Sequence, residues 1–244
     1  MKRFLILQLR PEHDAADAEF ASILHKCDLA EDRTHRIRLD CEALPEWLQV
    51  ADYAGVIVGG GPGCVSDDPA SKPALEARIE AQVMGLMPQI IEQDHPFMGC
   101  CYGLGVLAAH LGGDVSKARY GEPVGPSHCA LTADGMSDPL TAGLKPEFEA
   151  FVGHKEAVQL LPPGCVHLVR SEACPIQMIR HGDNVYATQF HPEADANDFE
   201  QRIRIYKDYG YFPPSDAERL IGECKAAQVT EPGEILRRFA KRYE

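Results

Sequence analysis

Residues 96–105 read Pro-Phe-Met-Gly-Cys-Cys-Tyr-Gly-Leu-Gly, and no other stretch of the chain limits its fold so tightly. Phe97 to Cys101 is apolar enough to be a buried strand, and Tyr102 to Leu111 continues as a helix ended by Gly112 and Gly113. A strand that becomes a helix without a linker has to turn sharply at the junction. Gly99 and Gly103, two residues either side of Cys101, remove the Cβ atoms that would crowd this crossing. The turn presents the Cys101 side chain at a sheet edge, in the field of a helix N-terminus, which favours the thiolate. Cys100 faces the opposite way and reads as core.

The rest of the N-terminal half repeats this strand-then-helix rhythm. Phe4 to Leu9 is a first strand, a helix follows from about Asp14 to Cys27, and His35 to Leu39 is a second strand. Ala54 to Val58 is a third, broken by Gly59, Gly60, Gly61, Pro62 and Gly63. A long helix covers about Ser71 to Gln93, with Gly85 and Pro88 as points of disturbance. This alternation predicts an α/β fold, a parallel sheet covered on both faces with ligands beyond the C-terminal ends of its strands. Beyond Gly113 the helical signals fade. Strand candidates lie at Ser127 to Thr132, Val166 to Arg170, Ile176 to Arg180 and Asn184 to Gln189, with His181, Gly182 and Asp183 as a hairpin turn. Residues 1–195 read as the main domain and 196–244 as C-terminal helices packed on it. The basic group Arg237, Arg238, Lys241 and Arg242 fits helix-terminal electrostatics.

Charge and cysteine content narrow the partners. Twenty-four Lys and Arg against thirty-seven Asp and Glu give a formal charge of -13, so nucleic acid would be repelled before contact. No run of apolar residues is long enough for a spanning helix, and the basic, apolar start lacks a small-residue cleavage pattern, so a membrane is not expected either. The nine Cys have no paired CxxC framework for zinc or disulfides, and several lie in apolar runs. A reducing cytoplasm and a small-molecule partner are the expectation.

A thiol nucleophile needs a proton acceptor, and Gln189-Phe-His-Pro-Glu193 supplies one after an apolar strand. His191 stands at the predicted active edge to take and return the Cys101 proton, and Glu193, beyond the intervening Pro192, can orient the second ring nitrogen. Backbone N–H groups of the Gly59–Gly63 loop and of Tyr102 can face an oxygen that becomes negative in a tetrahedral intermediate. Each element also has a plainer reading: a buried structural Cys101, a strand-end His191, a tight structural turn at the glycines. Phosphate binding by that loop is disfavoured, since it has neither the GxGxxG spacing nor the Lys-Ser/Thr ending of a P-loop.

Taken together, Gly59 to Pro62 (GGGP), Pro96 to Gly103 (PFMGCCYG), Gln189 to Glu193 (QFHPE) and Gly153 to Gly164 (GHKEAVQLLPPG) resemble the class I (triad) glutamine amidotransferases. The likeness is to stand-alone domains similar to the amidotransferase part of GMP synthase, and it covers about residues 4 to 193. It implies a flavodoxin-like three-layer sandwich with a mostly parallel central sheet, and no metal or organic cofactor. By the same resemblance, Cys101 forms a γ-glutamyl thioester from glutamine, His191 is general base and acid, and Glu193 orients it. Gly61 and Tyr102 supply the oxyanion N–H groups, Gly105, Gly153 and His154 lie on the substrate side, and ammonia passes to a synthetase partner.

Two departures bear on the substrate. Where the family carries a Gln that holds the amino-acid part of glutamine, this chain has Gly105; where it often has Ser before the His of the cleft segment, this chain has Gly153 before His154. A Gln restored at position 105 is expected to strengthen glutamine use. Three functions remain open: hydrolysis or transfer at glutamine, γ-glutamyl peptidase action on a larger amide, and a regulatory domain that binds a partner. With residues 4 to 193 occupied, no ATP-binding half is located, so GMP synthesis by this chain alone is not expected.

Overall fold

The computed structural model describes residues 1–209 and 212–244; Gly210 and Tyr211, inside the segment read as helical, lie outside the described residues. In chain order the elements are β1 (Phe4–Gln8), α1 (His13–Cys27), β2 (Thr34–Arg38), β3 (Gly55–Val58), α2 (Ala74–Glu92), β4 (Phe97–Cys100) and α3 (Tyr102–His110). There follow β5 (Val115–Ser116), β6 (Glu122–Leu131), β7 (Glu147–His154), β8 (Ala157–Val158), β9 (Cys165–Ser171), β10 (Met178–His181) and β11 (Val185–Thr188). The chain ends with α4 (Ala196–Tyr206), α5 (Ala217–Ala226) and α6 (Glu231–Tyr243).

Nine strands form one sheet in the order β2-β1-β3-β4-β11-β10-β9-β6-β7. Its first five strands pair in parallel and the remainder antiparallel, so a flavodoxin-like half continues into a meander. Alternation along β1 shows how the layers are held. Leu5 and Leu7 pack with Ile79, Val83 and Met87 of α2, whereas Phe4 and Ile6 pack with Phe20 and Ile23 of α1 and with Ile235 and Phe239 of α6. A third cluster joins Phe151 of β7 to Phe199 and Ile203 of α4 and to Leu220 and Ile221 of α5. Among the described residues no helix is long and apolar enough to cross a membrane.

α2 runs unbroken through Gly85 and Pro88, the points where disturbance was expected. Ile79, Val83, Leu86, Met87 and Ile90 bury one continuous stripe, and this burial outweighs the single backbone hydrogen bond that Pro88 removes. β6 starts at Glu122, five residues before the predicted Ser127. It crosses Pro123 through a register shift between Glu122 and Gly125, the irregularity that lets a strand tolerate proline, while Pro126 stands in register opposite Phe151. β7 was not anticipated, although Phe148, Ala150 and Val152 alternate inward along it. The His181–Asp183 turn joins β10 to β11 as predicted, with Gly182 at φ 57°.

Candidate active site

The neighbouring parallel strands β1, β3, β4 and β11 end on the same side of the sheet, and the sequence that follows each one builds the site. Arg10 follows β1, Gly59–Gly63 follows β3, Cys101 follows β4, and Gln189 to Glu193 follows β11. Strand order reverses between β1 and β3, the switch point at which open α/β sheets form a crevice.

Cys101 has φ 53° and ψ -91°, a conformation costly for a residue with a Cβ, and it caps α3. Packing enforces that turn. A Cβ on Gly99 would lie 2.8 Å from the carbonyl carbon of Gly103, so the strand and the helix cross at backbone contact. The Cys101 N–H is anchored by the Thr188 carbonyl at 2.7 Å, and Gln189 Nε2 donates toward the sulfur at 3.8 Å. Cys100 is fully buried in the core. The Tyr102 N–H, first in α3, has no acceptor inside the helix.

Cys101 lines two clefts, which also share Gly61 and Gly153. The first runs past Gly105, His154, Glu156 and Gln189. The second contains His191 and Arg10 with side chains of α4. The structure therefore brings Cys101, His191, Gly61, Gly105, Gly153 and His154 to one crevice, with Tyr102 beside Cys101 in the first cleft. Glu193 stands behind His191, its Oε1 2.9 Å from Nδ1, and is fully buried. The carboxylate accepts the Nδ1 proton and leaves Nε2 as the basic nitrogen. Gly60 is required for this packing: a Cβ there would meet the His191 ring and the Arg10 guanidinium, each at 2.7 Å.

Charged residues that sequence reasoning did not single out support the imidazole. Arg202 of α4 donates through Nη2 to Glu193 Oε1 at 2.9 Å, and Arg10 Nε pairs with Glu19 Oε1 at the same distance. Arg202 also reaches Glu19 at 3.9 Å, so two arginines and two glutamates form one buried network. Glu19 carried a signal: it is a charge on the buried stripe of α1 formed by Ala15, Ala16, Phe20 and Ile23. Burial alone would raise the Glu193 carboxyl, but His191 and Arg202 outweigh it and hold the group well below the usual range. Burial lowers His191, with Arg202 and Arg10 acting the same way and Glu193 opposing.

The expected thiolate is not what this environment favours. Burial pushes the Cys101 thiol up to about 12, Arg10 opposes the rise, and Glu193 and Glu156 add to it. Desolvation outweighs the Arg10 charge at the sulfur, so this environment favours the thiol, and a base has to remove its proton.

On the first cleft, Glu156 occupies the space that Gly105 leaves open. Its carboxylate accepts from the N–H groups of Val65 at 2.8 Å and Ser66 at 2.9 Å and from the Ser66 hydroxyl at 2.7 Å. A Cβ at Gly105 would lie 3.1 Å from Glu156 Oε1. Nothing in local spacing marks Glu156; only the fold brings it above Gly105. His154 holds this wall: Nδ1 faces the Glu156 carbonyl at 2.8 Å and Nε2 faces Glu122 Oε2 at 3.0 Å. Glu122, His154 and Cys174 also bring three metal-ligating atoms within 4.8 Å of one another. Each is already engaged. Ser127 and Gln177 donate to Glu122 at 2.6 Å, and Cys174 Sγ faces the Ile176 carbonyl at 3.6 Å.

Comparisons with known proteins agree with this architecture. Residues 14–205 match the model of the glutamine amidotransferase class-I family. The chain is 31% identical over 173 residues to a glutamine-hydrolyzing GMP synthase component from Haloquadratum walsbyi, covering 70% of this chain and 81% of that protein. It is 32% identical over 166 residues to the glutamine-hydrolyzing GMP synthase of Thermosipho africanus, covering 68% of this chain but only 29% of that longer protein. A glutamine amidotransferase crystal structure from Thermotoga maritima superposes with a TM-score of 0.77 at 19% identity, covering 100% of this chain and 99% of that one. With a cysteine on a strand-to-helix elbow, a glutamate-backed histidine just beyond the neighbouring strand, and a family match across both, the chain belongs to the class-I glutamine amidotransferases.

Proposed function

We propose that the protein is a thiol-dependent amide hydrolase that acts on glutamine or a related γ-glutamyl amide through a γ-glutamyl thioester on Cys101. His191 Nε2 takes the thiol proton as Sγ bonds to the γ-carbonyl carbon. The N–H groups of Gly61 and Tyr102 meet the oxyanion. The C–N bond then breaks, and His191 returns the proton to the departing nitrogen. Water attacks the thioester, gives a proton to His191, and the sulfur leaves and recovers it. Glu193 keeps Nε2 in the basic tautomer and stabilises the transient imidazolium.

The observation that carries this reading is the shared crevice: Cys101 and His191 line one cleft, and His191 Nδ1 lies 2.9 Å from a fully buried carboxylate. The Glu156 carboxylate, held by three donors in the first cleft, is the partner for the substrate's α-ammonium and takes over the anchoring that Gly105 cannot provide. Ammonia released from glutamine would be consumed by a synthetase partner. All nine cysteines are free, which supports a reducing compartment such as the cytoplasm. Glutamate release from glutamine and from γ-glutamyl amides, followed with wild-type protein and Cys101→Ala, tests the assignment. Turnover falls at least about 10⁴-fold in the variant while its melting temperature stays close to wild type. Retained turnover in Cys101→Ala excludes the nucleophile.

A further inference from the structure

Glu193 Oε1 accepts from two donors at one distance: His191 Nδ1 and Arg202 Nη2 both lie 2.9 Å away. The other oxygen, Oε2, is buried with no hydrogen-bond partner among the described residues, so both contacts converge on one atom. A fully buried carboxylate with only an imidazole beside it would hold a proton on the ring, because a charge taken out of water is stable only when paired. A ring protonated at rest cannot take the thiol proton.

The Asp195–Asp198 capping box fixes the start of α4 directly after the Gln189–Glu193 segment. Phe199, Arg202, Ile203 and Tyr206 then share one helical face on the cleft that Cys101 and His191 also line. The Phe199 ring meets the His191 ring edge-on with centroids 5.8 Å apart, and Arg202, one turn on, meets the carboxylate. Glu19 of α1 lies 3.9 Å from Arg202 Nη2 and 2.9 Å from Arg10 Nε, and Arg10 Nη1 donates to the Tyr206 hydroxyl at 3.3 Å. The imidazole is thus faced by Glu193, Arg202, Arg10 and Cys101, with Glu19 and Tyr206 one contact further out. The two arginine and two glutamate side chains are at most 8% exposed, and their charges cancel when His191 is neutral. An imidazolium at rest adds a positive charge that this interior leaves unbalanced. Burial lowers the proton affinity of His191, Glu193 opposes it, and Arg202 and Arg10 add to the lowering. A guanidinium keeps its proton at every working pH, so the balance does not titrate away.

We propose that Arg202 is a positioning residue: by holding Glu193 Oε1 it supplies the carboxylate's counter-charge, so that His191 rests neutral on an ionised glutamate with Nε2 free for the Cys101 proton. This deepens the hydrolase reading and rests on it. As Sγ attacks, the proton moves from Cys101 to Nε2, and Glu193, ionised throughout, stabilises an imidazolium that forms only then. Arg202 acts through Glu193 and not on the reacting atoms.

The acid midpoint of kcat/KM, measured with glutamine and with γ-glutamyl-p-nitroanilide on full-length wild type, Arg202→Met and Arg202→Lys, tests this. The His191 ring titration, read by NMR and assigned by its loss in His191→Gln, gives a midpoint without turnover. In Arg202→Met both midpoints rise by about one pH unit or more, the size expected for removing a cation this close. KM at the alkaline plateau stays within about threefold of wild type. Arg202→Lys, which keeps the charge, shows a smaller rise. Midpoints do not depend on how much of a variant folds. A lower plateau with unmoved or lowered midpoints makes Arg202 merely structural and overturns the role, leaving the hydrolase intact. A large rise in KM with unmoved midpoints makes it a substrate contact and overturns the role equally, and an equal rise in midpoint in Arg202→Lys removes its charge as the cause. Wild type that turns over neither substrate overturns the hydrolase reading, and the NMR midpoints then decide by themselves whether Arg202 keeps His191 neutral.

Discussion

At Gly105 the structure sets the Glu156 carboxylate beside the space that the missing side chain leaves. The sequence reads as a lost contact; the structure shows a carboxylate above the gap, with Oε1 3.1 Å from where a Cβ would stand. The expectation that Gly105→Gln strengthens glutamine use is therefore reversed. The new side chain displaces Glu156 from its three donors, and kcat/KM for glutamine falls at least about tenfold, each charge-assisted hydrogen bond being worth about 1.5–3 kcal/mol; an increase would restore the original expectation. At Glu193 the effect is on the base. Substitution Glu193→Gln lowers kcat about 10³–10⁴-fold, because the amide NH2 can donate to Nδ1 and hold the ring in the wrong tautomer. Because burial holds His191 below its ordinary 6.5, the acid limb of kcat/KM lies below pH 6.5. Loss of Glu193, which opposes that lowering, moves the limb further toward acid. A pH–rate profile with its acid midpoint above 6.5 contradicts this.

At the scale of elements, α6 belongs to the central packing although it is the last segment of the chain. Phe239 is fully buried, its ring 6.3 Å from Phe4 of β1, and Leu236 and Ile235 lie in the same cluster. Truncation by Phe239→Ala costs about 3–5 kcal/mol, measured as a lower urea midpoint; a loss under about 1 kcal/mol would show that the helix is peripheral. The elements legible in the sequence were those with a clean period and a marked end, such as β1, α1, and β10–β11 around Gly182. β7 escaped although Gly143 and Pro146 stand just before it, because Glu147, Glu149 and Gly153 weaken its strand propensity, and the start of β6 because its prolines argue against a strand until the pairing is seen. α4 was read as helix, but which wall it forms depends on where β11 delivers it.

For the whole molecule, buried neutral imidazoles couple folding to pH. His95, only 8% exposed and with Nε2 unpartnered, is lowered to about 4 by burial, with Lys2 acting the same way. The unfolded chain takes up this proton near 6.5, so stability is retained above that pH and declines as pH falls from 6.5 toward 4, by roughly 2–3 kcal/mol for this residue. Thermal melts at pH 7 and pH 5 should show the decline in wild type and a smaller one in His95→Gln. Equal declines would remove His95 as the cause; His191, lowered by burial in the same direction, supplies part of the remainder.

The sequence by itself marked the proposed reacting groups and their local geometry. A glycine-flanked Cys101 between strand and helix makes an elbow, and a His-Pro-Glu after an apolar strand places a carboxylate within reach of the ring, because both depend on neighbours in the chain. Tertiary structure alone decided the burial around Cys101, the carboxylate over Gly105 and the second cleft. Burial, Glu156 some fifty residues from Gly105, and the α4 face carrying Phe199 to Tyr206 are consequences of where the sheet brings distant segments together, and no local pattern encodes that meeting.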